Sequence, residues 1–127
     1  MNEFSTCVTH LECSYTGEIY PADVLHGLSD AGKPLLVRYD LDALSTAITK
    51  QDLVSRAPDF WRYRELLPVR HSKNVVRLGE FMTPVLPAPH LQAELKIGER
   101  LINDEGRLPT GAFTARGSAI AVALARE

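Results

Sequence analysis

Charged and hydroxyl side chains suited to proton transfer or anion binding are concentrated in one segment of the chain. The segment reads N-D-E-G-R-L-P-T-G-A-F-T-A-R-G, and it contains Glu105, Thr110, Gly111, Thr114 and Arg116. A carboxylate can move protons, and a guanidinium can supply positive charge to a ligand. These residue types point to chemistry on a small polar molecule.

A turn and a helix must position these groups. Pro109, Thr110 and Gly111 predict the turn, and the Ala-rich run 113–126 predicts the last helix, with Thr110 as its candidate N-cap. The free amides at the start of such a helix favour a carboxylate or a phosphate. A second loop, G-E-F-M-T-P at residues 79–84, carries further polar side chains.

Several motifs resemble one enzyme family. The pattern D-E-G-x-x-P-T-G-x-F-x-A-R-G resembles the segment of threonine synthases, and of related fold-type II pyridoxal-phosphate enzymes, that carries the cofactor lysine. The runs W-R-Y-R-E-L-L-P at residues 61–68 and G-K-P-L-L-V-R-Y-D-L at residues 32–41 resemble threonine synthases too. The resemblance implies a truncated amino-terminal region of that fold, with an ancestral pocket between residues 79–84 and 109–113.

The chain departs from the family pattern at the position that carries the chemistry. The residue after Phe113 is lysine in the family and Thr114 here, and an imine to the cofactor needs a primary amine. Leu108, Ala112 and Asn103 also replace polar residues of the family pattern. The family's phosphate-binding loop belongs to later units of its fold. We therefore expect no cofactor and a lysine-less, degenerate site.

The first functional hypothesis is a repurposed site for a metabolite or biosynthetic intermediate. If the protein is an enzyme, we expect a cofactor-independent acid/base enzyme such as an isomerase, cyclase or lyase. The catalytic candidates are Glu80, Glu105 and Arg116. His71 and His90 are further candidate bases, because histidine titrates near neutrality. The ligand-binding candidates are Phe81, Thr83, Thr110, Gly111 and Thr114.

Two other functions remain open at this point. The chain could be a non-catalytic binding or regulatory module for a larger biosynthetic partner. It could also be a fragment or inactivated form of a pyridoxal-phosphate-dependent threonine synthase-type lyase. A closed cavity at Thr114 would favour the repurposed site, whereas a flat apolar interface would favour the binding module.

Composition bounds these hypotheses. The 127 residues suffice for one domain, assigned to residues 1–127, and 45% apolar with 24% charged residues is ordinary for a globular protein. A net charge of -2 gives no basic surface for nucleic acid, and no apolar run is long enough for a membrane span. With no apparent signal peptide, a cytoplasmic location is expected.

The two cysteines predict no disulfide and no metal site. A structural zinc site needs four ligands, and Cys7 and Cys13 supply only two. His10 and His26 could complete a set of four, but the spacing fits no standard zinc pattern. Two buried thiols are the simpler expectation.

The fold class predicted is α+β, a small, mostly antiparallel sheet with helices on one side. Strands are expected at Leu35–Tyr39, with both faces covered because the run is continuously apolar, and near Arg100–Ile102. Helices are expected at Phe60–Leu67, with Phe60, Tyr63 and Leu67 on one face, and at Phe113–Arg126. Thr49 and Asp52 predict a capping box.

Small residues in the last predicted helix allow close packing, and Ile120 with Leu124 forms its larger apolar ridge. In the full family fold, this ridge would be covered by further layers. Because large exposed apolar patches mark interfaces, we expect a homodimer or higher oligomer.

Overall fold

The first part of the chain forms a three-stranded antiparallel sheet. β1 (Val8–Cys13) lies between β2 (Ile19–Pro21) and β3 (Leu35–Tyr39). The turn from β1 to β2 uses Gly17 at φ +75°, a conformation that glycine adopts without steric cost. The structure is a computed structural model, and it describes residues 4–127.

β3 lies where the sequence predicts a strand, but its surroundings differ from the prediction. It pairs with β1 only, through partners such as Leu11 and Val37. Leu36 and Val37 remain exposed, so the expectation that both faces are covered is wrong. A continuous apolar run normally indicates two covered faces. Within residues 4–127, no layer closes over this strand.

Two short capped helices follow the sheet. α1 (Leu41–Ala47) begins at Asp40, whose side chain accepts a hydrogen bond from the Ala43 amide at 2.8 Å. α2 (Lys50–Ser55) begins at Thr49, and the capping box with Asp52 is present as predicted. These caps satisfy amides that have no partner inside the first helical turn.

The aromatic segment Phe60–Leu66 is a 3₁₀ helix with a kink at Tyr63, not an α-helix. A 3₁₀ helix has three residues per turn, so the side chains that share a face differ from those of an α-helix. Trp61 is buried and donates to the Val76 carbonyl at 2.9 Å, whereas Tyr63 is partly exposed. The predicted stripe with Tyr63 on the buried face is therefore wrong.

A second, smaller antiparallel sheet has two strands, β4 (Val85–Pro87) and β5 (Leu101–Asn103). In its register, Leu86 faces Ile102. We call this pair of strands the ribbon. Helix α3 (Pro89–Leu95) connects its strands, with proline at the first helical position, where its missing amide does no harm.

The last helix, α4 (Thr114–Leu124), contributes two alanines to the core cluster. Its buried residues Ala115, Ala119 and Ala123 lie one turn apart on one face. Ala119 and Ala123 pack in one cluster with Trp61, Val69 and Leu67, and Ile120 lies at its margin. Packing through small residues holds for these three alanines, whose short side chains let neighbouring segments come close to the helix, whereas Gly117 and Ala121 are exposed.

The start of α4 differs from the prediction in one detail. Phe113 is the N-cap residue, and it makes no side-chain capping bond. Thr110 instead donates from its hydroxyl to the Ala112 carbonyl at 3.0 Å. Thr110 as the N-cap is therefore wrong, because the turn extends further before the helix begins.

The α+β class with antiparallel strands is confirmed, and the strands form two small sheets rather than one. Within residues 4–127, no helix has both the length and the apolar character that a membrane span requires.

Candidate functional site

Arg116 and Glu105 form a two-point ion pair at the start of α4. Arg116 Nε lies 2.7 Å from Glu105 Oε2, and Arg116 Nη2 lies 2.9 Å from Glu105 Oε1. About three quarters of each side chain is removed from solvent. This geometry uses the planar fork of the guanidinium and fixes its orientation.

Two further side chains form hydrogen bonds with the carboxylate of Glu105. Asn103 donates from Nδ2 to Glu105 Oε1 at 2.8 Å, and the Thr83 hydroxyl contacts the same oxygen. The Thr83 hydroxyl also lies 2.7 Å from Asn103 Oδ1. Since a hydroxyl has one proton, Thr83 donates to one of these oxygens at a time. The loop at 79–84, the end of β5 and the start of α4 are thereby connected.

These donors set the charge state of Glu105. The Arg116 guanidinium, followed by the Thr83 hydroxyl, lowers the pKa of Glu105 to about 2. Near neutral pH, a carboxylate with that pKa is a weak base and holds no proton to donate. Glu105 is thus better suited to fixing Arg116 than to moving protons.

Arg116 retains binding capacity after this pairing. Its Nη2 also donates to the Phe81 carbonyl at 3.2 Å, and its guanidinium lies 5.9 Å from the centre of the Phe60 ring. Among residues 4–127, its Nη1 has no hydrogen-bond partner. The hydrogen bonds to Glu105 raise the pKa of Arg116, so the cation persists at any ordinary pH.

An open groove of about 570 Å³ lies over this pair. Its walls combine aromatic and aliphatic carbon with the polar network, so it offers both apolar contact and charge. The residues that line it are Asp59, Phe60, Tyr63, Met82, Thr83, Val85, Asn103, Glu105 and Arg116.

Glu80 and Phe81 lie on the loop beside the groove but do not line it. Glu80 is buried, and its carboxylate accepts a hydrogen bond from the Leu78 amide at 3.0 Å. Its main-chain carbonyl accepts from the Phe60 amide at 3.0 Å, which holds the loop against the aromatic segment. Phe81 is partly exposed and forms an isolated bridge with Asp59.

The Pro-Thr-Gly turn lies outside the groove as well. Thr114 and Thr110 are exposed, with their hydroxyls 3.5 Å apart, and Gly111 occupies φ +69°. The structure therefore brings together three of the candidate residues, Thr83, Glu105 and Arg116. It leaves these five outside the groove walls: Glu80, Phe81, Thr110, Gly111 and Thr114.

Sequence reasoning missed six groove residues, which are Asp59, Phe60, Tyr63, Met82, Val85 and Asn103. Tyr63 belongs to the W-R-Y-R motif and Phe60 directly precedes it, but the sequence indicated for both only a shared helix face. Asn103 stands out in the sequence only as a departure from the family pattern, although its position two residues before Glu105 allows the contact that the structure shows.

The two candidate histidines lie elsewhere. His71 has its Nε2 at 3.6 Å from Glu127 Oε2, and His90 lies on α3. Neither lines the groove. In the described part of the chain, no three metal-ligating side chains converge, and Cys7 and Cys13 are both buried free thiols.

The side chains present do not fit pyridoxal phosphate bound as an imine. The position that the resemblance assigns to the cofactor lysine is Thr114, an exposed hydroxyl outside the groove. Within residues 4–127, no lysine lines the groove. Since an imine needs a primary amine, we derive no step through this cofactor.

Fold and site together define a small α+β polypeptide with an open groove over a fixed arginine. Comparison with curated proteins adds the particular relationship. The chain is 33% identical over 115 residues to threonine synthase of Methanocaldococcus jannaschii, with 91% of the chain and 28% of that relative covered. It is 32% identical over 119 residues to threonine synthase of Methanosarcina acetivorans, and this match covers 93% of the chain and 28% of that relative.

A third relative, threonine synthase of Halalkalibacterium halodurans, is 40% identical over 65 residues, or 51% of the chain and 18% of the relative. The chain is therefore threonine synthase-like along nearly its whole length. It spans about 28% of the length of the first two relatives. No family model matches the sequence. No solved structure matches it either.

Proposed function

We propose that the groove beside Arg116 binds a small metabolite with a carboxylate or phosphate group, without imine chemistry. The observation that carries this proposal is the guanidinium itself. Glu105 holds it by two contacts, at 2.7 and 2.9 Å, while Nη1 is left without a partner among residues 4–127. A fixed arginine with free donors suits a planar or tetrahedral oxyanion.

The rest of the groove supports a ligand with a short carbon skeleton. Phe60, Tyr63 and Met82 offer apolar contact beside the charge, a combination typical of small-molecule sites. The relatives are named threonine synthases, so an amino acid or its phosphate ester is the natural choice of probe. The groove is open, and we therefore expect modest affinity.

Binding is favoured over catalysis by the charge state of Glu105. A cofactor-independent enzyme would need a group that gains and loses a proton near neutral pH. The pKa of Glu105, lowered to about 2, does not meet that need. Glu80 remains the other carboxylate candidate, but it is buried outside the groove walls.

A second candidate function follows from the relatives. The sequence similarity extends over 91% of the chain, which suits a fragment or inactivated form of a threonine synthase-type enzyme. In this alternative, the groove contributes a binding surface to a larger assembly. The same alternative covers a regulatory module that binds a biosynthetic partner.

Calorimetric titration tests whether the groove binds such a ligand. We expect O-phosphohomoserine to bind the unmodified protein, and inorganic phosphate to bind more weakly, because only the former also contacts the apolar wall. L-threonine tests whether a carboxylate alone suffices. If none of the three gives heat or a chemical-shift change at residues of the groove, the proposal is wrong.

A further inference from the structure

Arg62 is a buried cation whose charge has no acidic partner in the described part of the chain. The residue is only 9% exposed, and its Nε is buried without a hydrogen-bond partner among residues 4–127. Every ion pair in this part of the chain involves another cation. Burying a charge without a partner is costly, and buried cations are normally paired with an anion.

The contacts that Arg62 does make are weak substitutes for an anion. Its Nη2 donates to the Leu53 carbonyl, and its Nη1 contacts the Met82 sulfur, which is only a weak acceptor. The guanidinium also lies 5.8 Å from the centre of the Tyr63 ring, which attracts a cation but does not neutralise its charge. Strong acceptors are therefore missing at both Nε and Nη1.

Met82 separates Arg62 from the groove. Met82 and Tyr63 both line the groove, so the contact of Nη1 with the Met82 sulfur places the guanidinium directly behind the groove wall. The Met82 amide donates to the Pro58 carbonyl at 3.0 Å, which holds the main chain. The side chain is 51% exposed, and a methionine side chain is unbranched and flexible. It can therefore turn away from Arg62 without a change in the main chain.

We propose that Arg62 is a second anion subsite of the groove and that the Met82 side chain is its displaceable cover. A carboxylate or phosphate oxygen replaces the sulfur as the acceptor of Nη1 and compensates the buried charge. Since Arg116 is the first cationic subsite, a ligand that uses both arginines has two anionic groups joined by a carbon chain. This inference rests on the proposed function of the groove and adds the class of ligand.

The two arginines have similar surroundings but different partners. The Arg116 guanidinium lies 5.9 Å from the centre of the Phe60 ring, and the Arg62 guanidinium lies 5.8 Å from that of Tyr63. Both rings line the groove, so they offer apolar contact to the carbon chain between the anionic groups. Arg116 is paired with Glu105, whereas Arg62 has no such pair. The second anionic group therefore supplies a charge that the chain itself lacks at Arg62.

Matched pairs of dianions and monoanions test the second subsite. Succinate, glutarate and adipate are compared with the straight-chain monocarboxylates of equal carbon number. We expect at least one dicarboxylate to bind at least about tenfold more tightly than its monocarboxylate by calorimetric titration. The same dicarboxylate should shift the NMR signal of the Met82 methyl group, which belongs to one of only two methionines in the sequence.

Arg62→Met shows whether Arg62 is the source of this preference. The variant should lose the preference for the dicarboxylate. Without ligand it should be at least as stable as the unmodified protein, because an unpaired buried charge is removed and the Leu53 carbonyl still accepts from the Arg56 amide at 3.3 Å. A purely structural Arg62 would instead give a less stable variant. The control is Arg100→Met, which removes an exposed arginine without an ion pair and should keep the preference.

Met82→Ala tests the cover separately. It removes the side chain that the ligand has to displace, so it should bind the preferred dicarboxylate more tightly than the unmodified protein does. This variant leaves Arg62 in place, so it remains informative if Arg62→Met does not fold.

The outcomes separate this inference from the proposed function. If monocarboxylates bind and dicarboxylates bind no more tightly, with the Met82 methyl signal unmoved, the second subsite is wrong and the proposed function stands. If neither these acids nor O-phosphohomoserine bind, the proposed function fails and the inference fails with it. A preference that survives in Arg62→Met, or that Arg100→Met loses equally, would also overturn the second subsite. So would an unchanged dicarboxylate affinity in Met82→Ala.

Discussion

Arg116 and Glu105 contact each other through two pairs of atoms, at 2.7 and 2.9 Å, although one residue lies in α4 and the other follows β5. The pair connects the helix of the core with the end of the ribbon. Thr83 and Asn103 contact the same carboxylate, so the geometry of the groove depends on this one anion.

Arg116→Lys should weaken binding of O-phosphohomoserine about tenfold, because an ammonium cannot hold Glu105 and a ligand in one plane. Titration calorimetry measures the change. The matched control is Arg38→Lys, since Arg38 also makes a two-point contact with a glutamate, Glu12, on the three-stranded sheet. Equal loss in both variants would contradict a direct role for Arg116.

Glu105→Gln should change the pH dependence of stability on the acid side. The pKa of Glu105 is about 2 in the folded protein, whereas a glutamate in an unfolded chain has a pKa of about 4.3. The unfolded state therefore binds the proton more readily, and the stabilisation is complete above about pH 5. It is lost as the pH falls through 4.3 toward 2.

Thermal unfolding between about pH 2 and 7 measures this effect. The acid limb of the Gln variant should be shallower than that of the unmodified protein, and the variant should be less stable at neutral pH. Asp104→Asn serves as a neighbouring control. Superimposable pH profiles for unmodified protein and Glu105→Gln would show that Glu105 is not held as described.

Arg56→Met should destabilise the fold by about 3 kcal/mol, because it removes the two-point partner of the largely buried Glu65 carboxylate and leaves only Arg64, at 3.5 Å. Burial is the largest influence on the pKa of Glu65 and raises it, but the hydrogen bonds to Arg56, a main-chain hydrogen bond and the charges of Arg56 and Arg64 together lower the net pKa. Removing Arg56 should therefore raise the pKa of Glu65. Chemical denaturation and an NMR titration of Glu65 measure the two effects.

Arg38→Met is the matched control for that variant. The pair of Arg38 and Glu12 is more exposed to solvent, so screening leaves it a smaller contribution. If Arg38→Met lost as much stability as Arg56→Met, the loss would come from removing any surface cation and not from weakening the pairing of a buried carboxylate.

Local signals in the sequence were sufficient for the elements that are set by neighbours in the chain. The capping box at Thr49 and Asp52 depends on residues three apart, and the structure has it. The alanine stripe of α4 follows from helical spacing alone. Leu35–Tyr39 is a strand because its residues favour extended backbone.

Long-range packing decided what local signals could not. The 3₁₀ form of Phe60–Leu66 depends on Trp61 reaching both the core and the Val76 carbonyl. β3 is exposed because no other layer packs on it within residues 4–127, and whether such a layer exists cannot be read from the residues of the strand itself. In the site, Glu105 and Arg116 could be chosen by residue type, but the contributions of Thr83 and Asn103 to one carboxylate required the fold.

Thr114→Lys should fail to create a stable imine with pyridoxal phosphate. Position 114 is exposed and lies outside the groove, so a lysine there would project into solvent. Any imine would form reversibly, as on a surface lysine, and would be lost on dialysis. Absorption spectra before and after dialysis measure this.

The control is Thr46→Lys, another exposed threonine on a helix. Both variants should lose the imine band equally, and the unmodified protein should retain none. A band that survives dialysis only in Thr114→Lys would place position 114 within a working cofactor site, and a surviving band in the unmodified protein would contradict the proposed loss of imine chemistry.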